Sequence, residues 1–256
     1  MTDPMGVAAV GAASYVAHRL FGKTLEEMGS DINKLYQKGR DRIITKATEK
    51  VRNPEDGKVP NIRVARDVLW NGVVTESEVC AEYFGGILAS SRTEDGVDDE
   101  SIHYVDVIKS LSSSQLHLHY CIYRALQARL LRDGVSLNPG MESELKAVNT
   151  YFSSAEAMAV GLNIEFGLPV LARNGLVQAY RMDNADLVNG GVLPYFYVTP
   201  TTFGTALYAA AFNRLEDWHQ FATTDFGAFD KVNGLEIYAS SLEDLAKTFG
   251  LSLKNV

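Results

Sequence analysis

The chain has 256 residues, of which 46% are apolar and 22% are charged, so it is long enough for one or two domains with an apolar core. This composition excludes a disordered chain. The net charge of −8 is uneven, because residues 1–53 carry nine basic and six acidic side chains and the remainder is acidic. An acidic body repels nucleic-acid phosphates, so only the N-terminal arm could attract them.

The N-terminal helical arm, residues 1–53, is predicted to hold two helices. Residues 5–21 are small and apolar, but His18 and Arg19 interrupt the run, which is shorter than the roughly 20 residues of a membrane span. No charged segment precedes the run, as a signal peptide would require. We expect this helix to pack in the protein's own core or in an oligomer seam, with attachment to a membrane surface as the alternative. A capping box at Thr24 and Glu27 then predicts a long amphipathic helix.

Residues 60–153 are predicted to form a helical core domain. Apolar residues recur every three or four positions, and polar residues with capping character precede each stripe. Pro60 begins this block, and the residues that we interpret as helix starts are Thr75 with Glu78, Asp98 and Asp99, Ser112 with Gln115, and Asn138 with Pro139. Asp133-Gly134 is predicted to end the helix that Ser112 starts. In the resulting core, the apolar side chains of Leu88, Ile108 and Leu126 are predicted to be buried.

In residues 154–256 short helical segments alternate with strand-like and turn-rich segments, and this part is predicted to form a winged-helix-like α+β subdomain with short strands. Predicted helices over 155–164 and 170–173 flank a break at Gly167-Leu168-Pro169. Strands are predicted over 176–182 and 193–198. Thr199-Pro200-Thr201-Thr202 then starts a predicted helix from Phe203 to about Leu215. A strand over 235–239 and a short helix, capped by Ser240 and ended by Gly250, complete the chain. The predicted fold class is therefore mainly α, with a winged-helix-like C-terminal part.

Sequence signatures of the common enzyme classes are absent, so no catalytic or cofactor-binding residues are predicted. There is no GxSxG elbow, Walker A loop, Rossmann glycine triplet or HExxH motif. Asp225-Phe226-Gly227 spells a kinase motif, but the catalytic loop and the lysine strand of kinases are missing, which makes the match a coincidence. We therefore predict a protein that is not an enzyme and needs no cofactor.

Potential metal ligands are present but poorly spaced, and no metal site is predicted. His117 and His119 lie two residues apart, which on a helix directs them to different faces, so one packed and one solvated histidine are expected. The acidic stretch from Glu94 to Glu100 lacks the alternating ligands of a calcium loop and is predicted to be a solvated loop. The remaining histidines stand alone and are expected to be structural: His18, His103 and His219.

The two cysteines, Cys80 and Cys121, both lie in apolar helical patterns and have no zinc-type spacing. A free cysteine in such a pattern behaves as a small apolar residue. We therefore expect both to be reduced, in a cytoplasmic protein.

A winged helix suggests DNA binding, but the local charge opposes it. Residues 155–212 contain two arginines, Arg173 and Arg181, against four acidic residues, and groove reading requires phosphate neutralisation. The acidic residues are Glu156, Glu165, Asp183 and Asp186. A wing used for protein contact is the preferred interpretation. The alternative is a nucleic-acid-binding regulator that uses the basic residues of the second helix, namely Lys34, Lys38, Arg40, Arg42 and Lys46.

Several segments together resemble the Abi-alpha family of bacterial abortive-infection proteins, over about 200 residues. They are the N-terminal pair of helices, Pro60 with the following helix into the acidic segment at Thr75, the segment EYFGGILASSR (82–92), HYVDVIKSLSSSQLHLHY (103–120), and the later runs NGLVQAYRM and YFYVTPTTFGTAL. Family members more often have larger residues where this chain has Gly85-Gly86. The resemblance implies a part in phage defence and supplies no catalytic residues.

These observations combine into one functional prediction: a non-enzymatic bacterial phage-defence component that acts through contact with a protein partner or through self-association. Small residues in segment 5–21 would let two helices approach closely in such an oligomer. The alternatives left open are the nucleic-acid-binding regulator and a membrane-associated effector that uses residues 5–21.

Overall fold

The computed structural model of this chain describes residues 36–72 and 77–254. The helix predicted over 5–21, the capping box at Thr24 and Glu27, and Thr75 lie outside these residues. The helices are α1 (36–50), α2 (Ile62–Gly72), α3 (Glu78–Ser90), α4 (Ile102–Lys109), α5 (Ser113–Asp133), α6 (Glu142–Lys146), α7 (Ser154–Ala159), α8 (Ile164–Arg173), α9 (Thr202–Ala211), a 3-10 helix (Leu215–Gln220) and α10 (Leu242–Thr248). The strands are β1 (Val59–Pro60), β2 (Arg92–Thr93), β3 (Thr150–Ser153), β4 (Val177–Asp186), β5 (Val192–Pro200) and β6 (Tyr238–Ala239).

The fold is mixed α+β, in which helices predominate, as predicted. One of its two small sheets lies in the part that was predicted to be helical. Strands β1 and β2 form a two-stranded antiparallel sheet, and the other strands form an antiparallel sheet in the order β4-β5-β3-β6. Strand β3 was missed, because four residues between two helical segments are too few to show alternation in the sequence. It nevertheless joins the hairpin of β4 and β5 to β6.

Helix α5 lies at the centre of the fold and was predicted with the correct ends. The hydroxyl of Ser112 accepts from the backbone N–H of Gln115, and the Gln115 side chain accepts from the N–H of Ser112, which completes a capping box. Gly134 ends the helix in the left-handed conformation, with φ 63°. Buried residues cover most of α5, because α3, α8 and α9 all pack against it.

Two adjacent glycines in α3 allow the neighbouring helices to approach its backbone. A methyl group at Gly85 would come within 2.7 Å of Cβ of Lys46 in α1, and one at Gly86 would overlap the carbonyl oxygen of Ala211 in α9. Larger residues cannot occupy these positions without moving α1 or α9. The structure therefore explains why this chain carries Gly85-Gly86.

One apolar core extends from Ile43 in α1 to Leu235 near the C-terminus, and it includes residues of α2, α3, α5, α8 and α9. It therefore crosses the boundaries predicted near residues 53 and 153. A second, smaller cluster lies on the other side of the larger sheet, around Leu187, Leu193, Tyr195 and Leu245. The chain beyond α10 closes this cluster, since the N–H of Val188 donates to Ser252 and the N–H of Lys254 donates to Asp186.

Three predicted helix starts in the central part of the chain are wrong. Asn138 and Pro139 form a turn, in which the Asn138 side chain accepts from the N–H of Gly140, and α6 begins only at Glu142. Helix α3 begins at Glu78 with Ser77 as its N-cap, so Glu78 is not the third residue of a capping box. For α4 the N-cap is Ser101, whereas the Asp98 carboxylate accepts from the Glu100 N–H in the preceding turn.

Two local signals in the C-terminal part were also misread. The segment Gly167-Leu168-Pro169 was predicted as a break but lies inside α8. Gly167 packs against Leu118 of α5 there. The N-cap of α10 is Ser241, which accepts from the N–H of Asp244, one residue later than the predicted Ser240. Gly250 ends that helix with φ 65°, as predicted.

The predicted core residues Ile108 and Leu126 are buried, which confirms those helix faces. Leu88 is only partly buried, so its prediction is wrong. Its neighbour Ile87 takes the fully buried position, because α3 directs Tyr83 and Ile87, four residues apart, into the core.

The contact at Gly86 gives a prediction about stability. Gly86→Ala improves helix propensity by about 1 kcal/mol but forces a methyl group into the Ala211 carbonyl. We expect a net loss of about 1–3 kcal/mol in the free energy of unfolding, measured by urea denaturation. Gly234→Ala is the matched control, because nothing lies within 4 Å of its added methyl group. A Gly86→Ala protein as stable as the wild type would show that α3 and α9 are further apart.

Candidate functional site

A surface groove of about 730 Å³ lies between the helices α7 and α8 and the β4–β5 hairpin. Its wall on the helix side comes from the end of α7, the connecting loop and the start of α8. Its other wall comes from the facing parts of β4 and β5. The lining residues are Ser154, Met158, Gly161, Leu162, Asn163, Ile164, Glu165, Met182, Asp183, Asn184, Pro194 and Tyr195.

Local signals in the sequence place the two helices beside the hairpin. The Ser153 hydroxyl accepts from the Glu156 N–H and starts α7, and the Asn163 side chain accepts from the Phe166 N–H and starts α8. Between them Gly161 adopts φ 79°, which turns the chain sharply. Gly167 lets α8 lie close to Leu118 of α5, so the groove rests on the central helix.

Two exposed apolar side chains line the groove. Met158 is 71% exposed and Met182 on β4 is also exposed. Phe166, which is 72% exposed on the first turn of α8, follows the lining residue Glu165 in sequence but does not itself line the groove. A cluster of exposed apolar side chains beside a groove is typical of a surface that contacts another protein. Methionine adds a flexible surface that can adapt to a partner.

The groove is acidic as well as apolar. Glu165 and Asp183 line it, and no basic side chain does so among the lining residues. The N–H of Asn184 and the guanidinium of Arg181, which pairs with Asp183, lower the pKa of the Asp183 carboxyl. Arg181 balances the charge of Asp183, whereas Glu165 has no such partner among the ion pairs of the described residues. The carboxylate of Glu165 therefore favours a partner segment with a basic residue.

The charged residues of segment 155–212 do not form a positive surface that could contact DNA. Arg173 is exposed at the end of α8, while Arg181 on β4 forms an ion pair with Asp183. The Glu156 carboxylate accepts from the backbone N–H groups of Glu236 and Ile237 and so holds the segment before β6. Glu165 occupies the first turn of α8.

Two basic side chains of helix α1, Lys46 and Lys50, form ion pairs inside the protein. The Lys46 ammonium lies 2.6 Å from the Glu82 carboxylate and 3.1 Å from that of Glu78, and Lys50 pairs with the other oxygen of Glu82. Lys46 and Glu82 are both buried. Burial lowers the pKa of Lys50, whereas for Lys46 the two carboxylates outweigh burial and raise its pKa above the ordinary value. Lys46 therefore cannot reach a phosphate on the surface.

The other basic residues named for the nucleic-acid-binding alternative are less buried than Lys46 where the structure describes them. Arg40 pairs with its neighbour Asp41, Lys38 is exposed and Arg42 is half-buried. Lys34 lies outside the described residues.

The buried ion pairs give a second prediction. Glu82→Ala leaves two buried ammonium groups without their shared carboxylate, so we expect a loss of about 3–5 kcal/mol in the free energy of unfolding. Glu49→Ala serves as the control, since the side chain of Glu49 is exposed and its distance to Lys46 is 3.6 Å. Urea unfolding of both variants at neutral pH measures the difference. Equal and small losses would mean that α1 is not held by Glu82.

The two histidines in α5 have different surroundings, and one of them is packed, as predicted. The other is half-buried, whereas a solvated side chain was expected. His119 is fully buried and its Nδ1 is hydrogen-bonded to the hydroxyl of Tyr83. His117 is half-buried, and its Nε2 is 2.7 Å from the carbonyl oxygen of Asn233. Burial lowers the pKa of His119 to about 3, so the ring is neutral at pH 7.

This shift gives a third prediction, on the pH dependence of stability. Below about pH 6.5 the unfolded chain protonates His119, while the folded chain resists protonation until about pH 3. The free energy of unfolding therefore falls by roughly 1.4 kcal/mol for each pH unit as the pH decreases through this window. His119→Gln removes this contribution, and urea unfolding from pH 7 to pH 4 should show a shallower loss than in the wild type. Parallel profiles would contradict a buried, neutral His119.

The acidic loop before α4 is organised by its own backbone. The Asp95 carboxylate accepts from the N–H of Val97, and Asp99 forms an ion pair with Arg63. Within residues 36–72 and 77–254, no group of three or more potential ligands could hold a metal ion. Of the kinase-like tripeptide, Asp225 pairs with Arg124 and Phe226 is buried.

The cysteines are both buried and free, as expected. Burial raises the pKa of the Cys121 thiol to about 12, so it is not a nucleophile at neutral pH.

Sequence reasoning did not select Met158, Phe166 or Met182, although one signal was available. The buried face of α8 is formed by Ile164, Leu168 and Leu171, which follow helical spacing. Phe166 falls off this face, so its exposure could have been predicted once α8 was placed correctly.

No family model, curated protein or solved structure matches this chain. The resemblance to the Abi-alpha family therefore stays a prediction. Across the residues that the structure describes, no helix reaches the length and hydrophobicity needed to cross a bilayer.

Proposed function

We propose that this chain is a non-enzymatic protein that works by binding another polypeptide in the groove between α7, α8 and the β4–β5 hairpin. The observation that carries the proposal is that the exposed apolar side chains of Met158 and Met182 line an acidic groove. The partner segment that fits it has an apolar side chain next to a basic residue. This segment belongs either to a different protein or to a second copy of the chain.

We further propose that residues 154–256 are a winged-helix-like unit adapted to protein contact. The chain order α7, α8, β4, β5 supports this interpretation, as does the pairing of β5 with β3, which ends at Ser153 immediately before this segment. In such a unit α8 corresponds to the helix that enters a DNA groove. Here the first turn of α8 presents Glu165 and an exposed Phe166, which suit a protein partner and repel phosphates.

Phage defence is the cellular role that we propose, on the resemblance of several segments to the Abi-alpha family. An infected cell would stop growing or die before phage progeny emerge. A cytoplasmic location is part of the same proposal, and the buried, free cysteines are compatible with it.

A phage challenge of bacteria that carry this gene tests the role, at low and at high infecting dose. We expect protection at low dose and collapse of the culture at high dose. Met158→Ser should abolish protection, because it removes an exposed apolar side chain from the groove while leaving the core intact. Trp70→Ser is the matched control, since Trp70 is 73% exposed on α2, outside the groove, against 71% for Met158. Thermal unfolding of both variants checks that they fold.

The outcomes separate the parts of the proposal. Loss of protection in Met158→Ser but not in Trp70→Ser supports the groove, and equal protection by both removes it. Sedimentation of the wild type and Met158→Ser then distinguishes self-association from a different partner. No protection against a broad phage panel would remove the defence role.

The nucleic-acid alternative has its own test. Binding to DNA or RNA at low salt, followed by fluorescence anisotropy, is expected to be absent, because Lys46 is enclosed by carboxylates and the body is acidic. Salt-dependent binding that disappears in an Arg40→Glu variant would establish the regulator instead.

A further inference from the structure

A second cavity, of about 370 Å³, lies where the start of α4 meets the start of α9 and the 3-10 helix. Four of the six lining side chains carry rings, and a carboxylate is the only acidic group among them. The lining residues are Glu100, His103, Tyr104, Phe203, Leu215 and Trp218. The groove described above shares none of these residues.

The rings form two walls. Tyr104 and Phe203 are stacked, with centroids 5.6 Å apart and an angle of 8° between the planes, and His103 lies 5.0 Å from Phe203 at 46°. Trp218 supplies the other wall from the 3-10 helix. Its ring packs on Gly140, where an added methyl group would come within 3.3 Å of Cη2. Several ring faces and edges therefore meet around one space.

Glu100 gives this space a negative charge. Among the residues that the structure describes it has no ion pair, whereas its neighbour Asp99 pairs with Arg63. Glu100 lines the same cavity as the Tyr104 ring. Burial raises the pKa of the Tyr104 hydroxyl, and the Glu100 carboxylate raises it further. The cavity thus combines aromatic faces with an uncompensated anion.

We propose that this cavity binds a quaternary ammonium group. Aromatic faces attract a cation, and a cation with methyl substituents needs no hydrogen-bond acceptors and gains from apolar contact. An ordinary lysine ammonium is strongly hydrated and would have to give up its water without receiving acceptors from these rings. The same chemistry occurs in free choline-like compounds and in trimethylated lysine side chains, so the test has an arm for each.

The chain contains only two tryptophans, which allows a direct optical test. In a Trp70→Phe protein, Trp218 in the cavity is the sole reporter. Choline is expected to give a saturable change in Trp218 fluorescence. Its uncharged carbon isostere, 3,3-dimethylbutan-1-ol, has the same shape and should bind roughly tenfold more weakly or not at all.

Two variants in the Trp70→Phe background test the walls. Phe203→Leu keeps an apolar side chain but removes a ring, and Glu100→Gln removes the charge. Each is expected to weaken choline binding severalfold, while an unchanged thermal midpoint shows that the variant folds. A peptide that contains trimethyl-lysine is titrated into the protein, and its binding is compared with that of the same peptide with unmodified lysine.

Tighter binding of the trimethylated peptide than of choline assigns the site to a modified protein, and the reverse order assigns it to a small metabolite. The proposal is overturned if Trp218 does not respond to choline or to the trimethylated peptide. Equal binding of the uncharged isostere, or undiminished binding in both Phe203→Leu and Glu100→Gln, also overturns it.

Discussion

Helix α3 contacts α1 at Gly85 and α9 at Gly86, and this close approach of three backbones determines much of the remaining structure. Because α1 lies so near, Lys46 and Lys50 can share the buried Glu82 carboxylate. Gly86 lies against Ala211, the last residue of α9, so the two glycines fix α1 and the end of α9. The start of α9 is held separately, since Gly204 lies against Tyr123 of α5. The Tyr123 hydroxyl donates to the Leu176 carbonyl and accepts from the Thr201 N–H.

Signals confined to a few neighbouring residues were sufficient to predict some of these elements. The capping box of α5, its end at Gly134 and the β4–β5 hairpin depend on local hydrogen bonds and alternation, and they are present. Strand β3 and the course of α8 through Pro169 depend on partners distant in sequence, so no local signal revealed them. Burial of Lys46 was hidden for the same reason, because Glu82 lies 36 residues away.

The two candidate binding surfaces were less predictable than the fold. The acidic character of the groove follows from composition, since residues 155–212 carry an excess of acids. Its apolar part depends on which side chains the packing of α7 and β4 leaves outside, as for Met158 and Met182. The ring-lined cavity collects side chains from segments more than 100 residues apart, such as Tyr104 and Trp218, and only the assembled helices bring them together.

The smaller apolar cluster behind the hairpin has a consequence for how the protein opens. It is built on few buried residues, among them Leu187, Tyr195 and Leu245, and the chain beyond α10 closes it. A small cluster opens at a lower free energy than the main core, so the amide hydrogens of β4 and β5 should exchange with solvent before those of α5. Tyr195 also lines the groove, so a bound partner would slow that exchange by stabilising the closed form.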